Sequence, residues 1–264
     1  MLAKRIIPTL LCRGRQLFKG RQFKSWRSVG LVAQAMRVHQ SRGVDEIILL
    51  DIMATNERRG PDLELIEEIS DGFFSPLTVG GGVKSIQDVD ALLRAGADKV
   101  AICSAALTNR SDLIQRCADR FGSQCIVAVV EYNLTKMGIR VTTSMNGARE
   151  HAMQPDALAL HYQHIGAGEV MLNAIHLDGM MQGYDFQLIQ FLKRNMDIPL
   201  IVSGGCGSYE DMEKAIRLGA DGVATGSMLQ WTDNTPRGAA EYLKSKGIEV
   251  RLEERKTTQA SGHV

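Results

Sequence analysis

The sequence predicts an α/β protein in which eight parallel strands close into a (β/α)8 barrel, also called a TIM barrel. Short β-branched runs alternate with amphipathic stretches, and parallel strands need such helical crossovers. The length of 264 residues suits eight strand–helix units. A shift of 123 positions (199 − 76) places 76–104 on 199–227, and 14 of the 29 aligned residues are identical. A repeat of about half the chain favours two half-barrels over a doubly wound open sheet and excludes a solenoid, whose period is roughly 20–50 residues.

Each predicted unit has its own strand and helix. The predicted strands are 4–11, 46–51, 77–79, 99–102, 124–130, 169–172, 200–202 and 222–224. The helical patterns lie near 30–42, 62–71, 85–95, 111–120, 154–165, 184–194, 208–218 and 236–246. Ser85 and Ser208 are each followed three residues later by an aspartate, as in a capping box, which indicates helix starts at both positions.

Two segments lie outside this alternation. Residues 12–29 are predicted to form a long basic loop after the first strand, and a loop of that length is usually functional or mobile. Residues 1–250 are predicted to form a single barrel domain, and residues 251–264 a flexible C-terminal tail.

Composition excludes several classes of protein. The 31 Lys and Arg residues nearly balance the 30 Asp and Glu residues, which argues against a protein that coats nucleic acid or binds a membrane surface. No apolar run approaches the ~18 residues of a membrane span. The five cysteines form no CxxC pair and favour a reduced, cytoplasmic protein. His161 and His164 lack a carboxylate at metal-ligand spacing, so no metal and no cofactor are expected.

Two glycine pairs at predicted strand ends indicate anion sites. Glycines allow backbone N–H groups to approach a phosphate, and a following helix start favours negative charge. Each pair is completed by hydroxyl or glycine residues one unit later in the chain. The two predicted phosphate sites are Gly81, Gly82 and Ser104, and Gly204, Gly205, Gly226 and Ser227. The alternative is that these glycines only form tight turns, but two copies at one offset favour phosphate binding.

Chemistry between two such sites needs acids at the same end of the barrel. Asp51 and Glu131 end predicted apolar strands, and Asp178 follows the sixth strand. Each could instead be a loop cap, and we favour a functional role for Asp51 and Glu131. His176 is a candidate for substrate contact or for a structural role. The end of the first strand offers no acid.

Four charged residues stand at the opposite ends of the predicted strands. Arg5, Glu46, Lys99 and Glu169 begin the first, second, fourth and sixth strands. Their alternating signs allow one salt-bridged ring across the bottom of the barrel, where residues usually serve stability. The ring is either an ordinary plug or a gate for a small polar molecule.

Ten short motifs are distributed over about residues 1–250: MLAKRIIP (1–8), KG (19–20), LDI (50–52), VGGG (79–82), GADKV (96–100), FGSQ (121–124), GAGE (166–169), DG (178–179), GYD (183–185) and SGG (203–205). Through these motifs the chain resembles the cyclase (HisF) subunit family of imidazole glycerol phosphate synthase. The resemblance implies a barrel that forms a heterodimer with a glutaminase (HisH-like) subunit on its lower face. It also implies that ammonia passes the gate of Arg5, Glu46, Lys99 and Glu169 to reach a phosphorylated substrate.

The resemblance also assigns roles at the mouth of the barrel. Lys19 matches the family's mobile-loop lysine, and Gly179 matches the substrate site. The family's two catalytic aspartates belong at the ends of the first and fifth strands, where this chain has Leu11 and Glu131. Leu11 cannot carry a proton, and the longer Glu131 changes the position of the acid. A third departure is Cys103, where the family usually has Asn.

These departures resemble the diverged paralogs of surface-polysaccharide pathways, which are thought to use channelled ammonia to convert an acetamido sugar to an acetamidino sugar. The expected substrate is therefore a phosphorylated or nucleotide-linked sugar, with Glu131, Lys19, Asp51 and Asp178 as catalytic candidates. The alternatives are a true cyclase of histidine biosynthesis, an isomerase of a related bisphosphorylated substrate, which Leu11 disfavours, and a non-catalytic scaffold for the glutaminase.

Overall fold

The computed structural model describes residues 3–107 and 112–252 and contains a closed parallel barrel, as predicted. Its strands are β1 (Arg5–Arg13), β2 (Gln16–Arg21), β3 (Lys24–Leu31), β4 (Ile47–Asp51), β5 (Leu77–Gly80), β6 (Lys99–Ile102), β7 (Ile126–Leu134), β8 (Arg140–Ser144), β9 (Arg149–His151), β10 (Glu169–Ala174), β11 (Leu200–Ser203) and β12 (Gly222–Thr225). The barrel consists of β1, β4, β5, β6, β7, β10, β11 and β12 in that order, and β12 pairs with β1 to close it.

The helices lie between the barrel strands. They are α1 (Val32–Ser41), α2 (Leu63–Ser70), α3 (Ile86–Arg94), α4 (Leu113–Phe121), α5 (Pro155–His164), α6 (Phe186–Lys193), α7 (Tyr209–Arg217), α8 (Ser227–Trp231) and α9 (Pro236–Ser245). The predicted helix starts at Ser85 and Ser208 are confirmed, since each hydroxyl accepts a backbone hydrogen bond from the third residue of its helix. The short helix α8 was not predicted. None of the helices in the described part of the chain is long and apolar enough to cross a membrane.

Apolar layers lie on both the inner and the outer face of the barrel wall. The inner layer fills the barrel and consists of Ile7, Ile48, Ala101, Val127, Val129, Met171, Ile201 and Ala224. The outer layer packs the opposite faces of the strands against the helices. Strands buried on both faces have continuous apolar sequences, which explains why the barrel strands could be predicted from the sequence.

The predicted basic loop at 12–29 is wrong in conformation. β1 continues to Arg13 and pairs antiparallel with β2, which pairs with β3, so the segment is a β-hairpin attached to the barrel mouth. Leu17 and Lys19 alternate with more exposed neighbours, a period-2 pattern that stabilises a strand. The sequence analysis missed this pattern because the segment also contains glycines and many charged residues.

Other boundaries also differ from the prediction. The fifth barrel strand begins at Ile126 rather than 124 and continues beyond the mouth, where β7 pairs antiparallel with β8 and β8 with β9. The first helix begins at Val32, because the hairpin occupies the chain up to Leu31. Most of the predicted tail, 253–264, lies outside the described residues.

Candidate functional site

The carboxyl ends of the barrel strands open into two adjoining cavities. The first lies over β10, β11, β12 and β1 and is lined by residues that include Lys19, Asp178, Gly179, Gly204, Gly205, Gly226 and Ser227. The second lies over β4, β5, β6 and β7 and is lined by residues that include Asp51, Gly81, Gly82, Cys103, Ser104 and Glu131. The structure therefore places the catalytic and phosphate-binding candidates in two groups around these cavities, while His176 lines neither.

The two glycine pairs have equivalent geometry. Gly81 and Gly204 have φ of 107° and 90°, where side chains are rarely tolerated. A Cβ on either would collide with the end of the preceding barrel strand, at Asp51 and Ala174, which are themselves related by the repeat. These glycines are therefore required by close backbone packing. That packing supports the interpretation that the glycines form tight turns. It is also compatible with an anion site, because both turns line the cavities.

Lys19 reaches from the hairpin into the first cavity. Its Nζ donates a hydrogen bond to the Thr9 carbonyl at 2.9 Å, and it lies so close to Gly226 that a Cβ there would collide with it. The side chain is buried, and this burial lowers the pKa of Lys19 to about 8, with the nearby Asp178 opposing the shift. A partly desolvated ammonium beside glycine amides is suited to binding an anion.

Asp178 and Gly179 anchor the tip of the hairpin. The Gln22 backbone N–H donates to the Asp178 carbonyl at 2.8 Å, and Gly179 packs against the backbone of Gly20. Burial raises the pKa of the Asp178 carboxyl to about 6, although Lys19 acts in the opposite direction. The hairpin thus lies across the mouth and forms part of both cavities.

Glu131 is held by the extension of the fifth barrel strand. The Thr143 hydroxyl and the Gly147 backbone N–H donate to Glu131 Oε1 at 3.1 and 2.7 Å. The side chain is only 5% exposed, and burial raises its pKa above the ordinary value for glutamate despite these two hydrogen bonds. A carboxyl group with a raised pKa that borders a cavity is suited to carrying a proton. The sequence did not identify Thr143 or Gly147, because the strand pairing that positions them was not predicted.

Asp51, for which the sequence favoured a functional role over a loop cap, makes the contacts of a loop cap. Its carboxylate accepts hydrogen bonds from the Met53 and Ala54 backbone N–H groups at 3.0 Å and forms an ion pair with Arg59 at 2.7 Å. These contacts order the loop after β4, which borders the second cavity. We infer that Asp51 positions this loop, since its carboxylate is bound by two backbone N–H groups of the loop and by Arg59.

Three further residues near the mouth have structural surroundings of their own. The His176 Nδ1 is buried without a hydrogen-bond partner among the described residues, and its ring packs edge-on against Tyr132. Asp185 caps helix α6 and binds Arg140 through two hydrogen bonds of 2.6 and 2.7 Å. Burial raises the pKa of the Cys103 thiol well above its usual range, so this cysteine is neutral.

The four charges at the opposite end form the predicted closed ring. Arg5 donates to Glu46 at 2.6 Å and to both oxygens of Glu169 at 3.0 Å. Lys99 donates to the same two carboxylates at 3.1 and 2.9 Å. Glu46 is 1% exposed and also accepts from the Thr78 hydroxyl. The ring lies immediately below the apolar filling of the barrel, so it closes the axis with polar groups.

The fold and the mouth define a class of protein: a (β/α)8 barrel with duplicated halves and two related glycine turns at its strand ends. The family model described as "Histidine biosynthesis protein" matches residues 5–234. The chain therefore belongs to this histidine biosynthesis family, which confirms the resemblance described above.

Individual relatives agree with the family match. The chain is 41% identical to the "Imidazole glycerol phosphate synthase subunit HisF" of Dictyoglomus thermophilum over 253 residues, which cover 96% of this chain and 100% of the relative. It is 41% identical to the protein of the same name from Dehalococcoides mccartyi, with the same coverage. It is also 37% identical to the "Putative imidazole glycerol phosphate synthase subunit hisF2" of Campylobacter jejuni, again over 96% and 100% of the two chains. The protein is thus a HisF-type, cyclase-like enzyme subunit.

Proposed function

We propose that this chain is the synthase subunit of a glutamine amidotransferase and that it combines ammonia with a substrate bearing two anionic groups. The single observation that carries this proposal is the polarity of the two barrel ends. A closed ring of Arg5, Glu46, Lys99 and Glu169 lies at one end, and two repeat-related glycine turns lie at the other. Burial of four paired charges costs more free energy than apolar packing would, and a ring of polar groups suits the passage of ammonia.

The names of the relatives favour the cyclase reaction, which forms imidazole glycerol phosphate in histidine biosynthesis, over the sugar conversion expected from the sequence. In this reaction the glycine turns would bind the two phosphates of the substrate, with Ser104 at one and Ser227 at the other. Lys19 would neutralise charge in the first cavity, and Glu131 would exchange a proton with the substrate from the second. The expected partner is a glutaminase on the face that bears the ring, and the expected compartment is the cytoplasm.

Leu11 favours a second candidate, the conversion of an acetamido to an acetamidino group on a phosphorylated or nucleotide-linked sugar. The Leu11 side chain lines both cavities at the point where a second proton carrier would be required for ring closure. In this reaction ammonia forms a C–N bond to the amide carbon and the amide oxygen leaves as water, so acids on opposite sides of a ring are not needed.

Product analysis with ammonium salts distinguishes the candidates, because free ammonia bypasses the glutaminase. The purified protein is incubated with the bisphosphorylated aminoimidazole substrate or with a nucleotide-linked acetamido sugar, and products are identified by mass spectrometry. Saturable formation of imidazole glycerol phosphate supports the first candidate, and formation of an amidine supports the second. If neither product forms while a glutaminase still binds the chain, the protein is a scaffold and the proposal is wrong. Glu131→Ala serves as the inactive control for either reaction.

A further inference from the structure

The β2–β3 hairpin carries a concentration of positive charge on its exposed surface. Residues 13–31 include six Arg or Lys residues and no Asp or Glu, although the net charge of the whole chain is only +1. Arg13 and Arg15 form ion pairs with glutamates outside the hairpin, and Lys19 is buried in the first cavity. The other three cations are exposed and have neither an ion pair nor a side-chain hydrogen bond within the described part of the chain. They are Arg21, Lys24 and Arg27.

The hairpin also places like charges opposite one another. Its register pairs Lys19 with Arg27 and Arg21 with Lys24. Like charges at directly opposite positions destabilise an antiparallel pair of strands, whereas opposite charges at the same positions would stabilise it. Departures from such local rules are expected at functional sites. The arrangement therefore indicates that the hairpin binds an anion that comes from outside the chain.

The three exposed cations lie at the outer rim of the mouth. Each directly follows a residue that lines a cavity, namely Gly20, Phe23 and Trp26. Arg21 lies against Gly179 of the first cavity, since a Cβ on this glycine would lie 3.3 Å from Arg21 Cγ. Gln22 fixes the tip of the hairpin, because its backbone N–H and its side-chain amide donate to the carbonyls of Asp178 and His176 at 2.8 and 2.9 Å. The cations are thus held beside the cavities but outside them.

We propose that the outer rim of the hairpin is an anion subsite that holds the diphosphate group of a nucleotide-linked substrate. Residues directly opposite in a hairpin, such as Arg21 and Lys24, have Cβ atoms about 5 Å apart, and Arg27 follows about 10 Å further along β3. Cations spread in this way can contact two neighbouring phosphate groups at once, and Arg and Lys are the usual phosphate ligands. Because the rim is exposed, the nucleoside would remain outside the cavities while the sugar enters the mouth.

This inference rests on the proposed function and favours its second candidate, the conversion of a nucleotide-linked sugar. A substrate whose two phosphates occupy the two glycine turns has no anion left for the hairpin. A nucleotide-linked sugar carries its diphosphate between the reacting sugar and the nucleoside, which matches the position of the cations between the cavities and solvent.

Calorimetric titrations at low ionic strength test the subsite. The probes are uridine diphosphate, uridine monophosphate and inorganic phosphate. We expect the wild-type protein to bind uridine diphosphate about tenfold more tightly than uridine monophosphate, because only the diphosphate reaches all three cations. This preference should decrease at about 0.3 M salt, since exposed charges are screened.

Variants of the hairpin localise the binding. The double variant Lys24→Gln and Arg27→Gln removes two charges, and we expect it to weaken uridine diphosphate about tenfold while changing inorganic phosphate by about twofold or less. Lys24→Glu should weaken uridine diphosphate at least as much without lowering the temperature of thermal unfolding, because it places an acid opposite Arg21. Arg37→Gln is the matched control, since Arg37 is exposed on α1, lines neither cavity and likewise has no ion pair within the described residues.

The possible failures of the subsite and of the proposed function are distinguishable. Equal affinities for uridine diphosphate and monophosphate overturn the subsite, and so does an equal loss of affinity in the Arg37 and hairpin variants. Inorganic phosphate binding that survives in the same experiment leaves the anion sites at the glycine turns standing. If inorganic phosphate does not bind but uridine diphosphate binds and depends on Lys24 and Arg27, the subsite stands and the sites at the glycine turns are wrong.

Discussion

At the scale of single residues, local contacts rather than chain position decide the chemistry of the mouth. Desolvation raises the pKa of the Glu131 and Asp178 carboxyls, whereas Asp51 is bound by loop amides and Arg59. All three were catalytic candidates in the sequence, because each lies at or after the end of a predicted strand. Only the surrounding atoms separate a proton carrier from a loop cap.

Leu11→Asp is expected to raise the rate of imidazole glycerol phosphate formation if the chain is a cyclase. A missing general acid or base reduces a rate by ~10²–10⁴-fold, so restoration of a carboxyl should recover about tenfold or more of that loss. The measurement is steady-state turnover with saturating ammonium chloride. Leu11→Asn is the matched control, since it adds polarity without a titrating group. An equal gain in both variants would show that polarity, not proton transfer, limits the reaction.

Phosphate binding in the first cavity is expected to weaken as the pH rises through about 8. The pKa of Lys19 is lowered to about 8 by burial, so the ammonium is present below that pH and lost above it. Inorganic phosphate is mainly a dianion above about pH 7.5, so its own titration contributes little there. Calorimetric titrations between about pH 7.5 and pH 9.5 measure the effect. Lys19→Met should bind weakly with little pH dependence, and a wild-type affinity that stays constant across the range would contradict the assignment.

At the scale of elements, two extensions of barrel strands build the site. The β2–β3 hairpin carries Lys19 and Phe23 over the mouth, and the β8 strand carries Thr143 to Glu131. The glycine turns then provide the close packing that allows the strand-end loops to meet. The site therefore depends on backbone fit at a few glycines as well as on its polar side chains.

Gly205→Ala is expected to destabilise the protein much more than a glycine substitution in open space. A Cβ at Gly205 would overlap the Gly183 carbonyl, and its φ of 105° is unfavourable for alanine. We expect a loss of about 3 kcal/mol or more in the free energy of unfolding, measured by urea denaturation. Gly138→Ala is the control, because Gly138 also has positive φ but no atom within 4 Å of the point that a Cβ would occupy. Gly138→Ala should lose only about 1–2 kcal/mol of unfolding free energy. An equal loss in the two variants would contradict the close-packing argument.

At the scale of the whole molecule, the barrel separates two polar ends by an apolar filling. The ring residues are tied to one another by hydrogen bonds of 2.6–3.1 Å and form one unit. A change in this unit should therefore affect entry of a small molecule from below without changing the mouth.

Lys99→Ala is expected to change the reaction rate with glutamine as the nitrogen source relative to the rate with ammonium salts. Loss of Lys99 leaves Arg5 as the only ring cation bound to Glu46 and Glu169 and opens the ring on one side. Rates are compared for the complex with its glutaminase, supplied with glutamine or with ammonium chloride, and phosphate binding at the mouth should be unchanged. Lys136→Ala, at an exposed position of the β7–β8 turn, is the matched control. If the Lys99 variant responds identically to both nitrogen sources, the ring is only structural.

The sequence by itself determined the barrel, its half-barrel repeat and the residues that meet at each end. Strands buried on both faces are continuous apolar runs, and the repeat preserves glycines such as Gly81 and Gly204 that backbone packing requires. Alternating charges at strand starts were likewise sufficient to predict the ring, because parallel strands bring their first residues to one end of the barrel.

Only the tertiary structure decided how the mouth is completed. The hairpin at 16–31 and the β8 strand pair with strand extensions beyond the barrel, and such pairing depends on contacts between segments rather than on local pattern. The same contacts bury Lys19 and Glu131 and so change their proton affinities, a property set by surrounding atoms. The lining shared by the two cavities has the same origin, because Leu11, Phe23, Leu50 and Asn173 come from β1, the hairpin, β4 and β10, which are distant in the chain and adjacent only in the closed barrel.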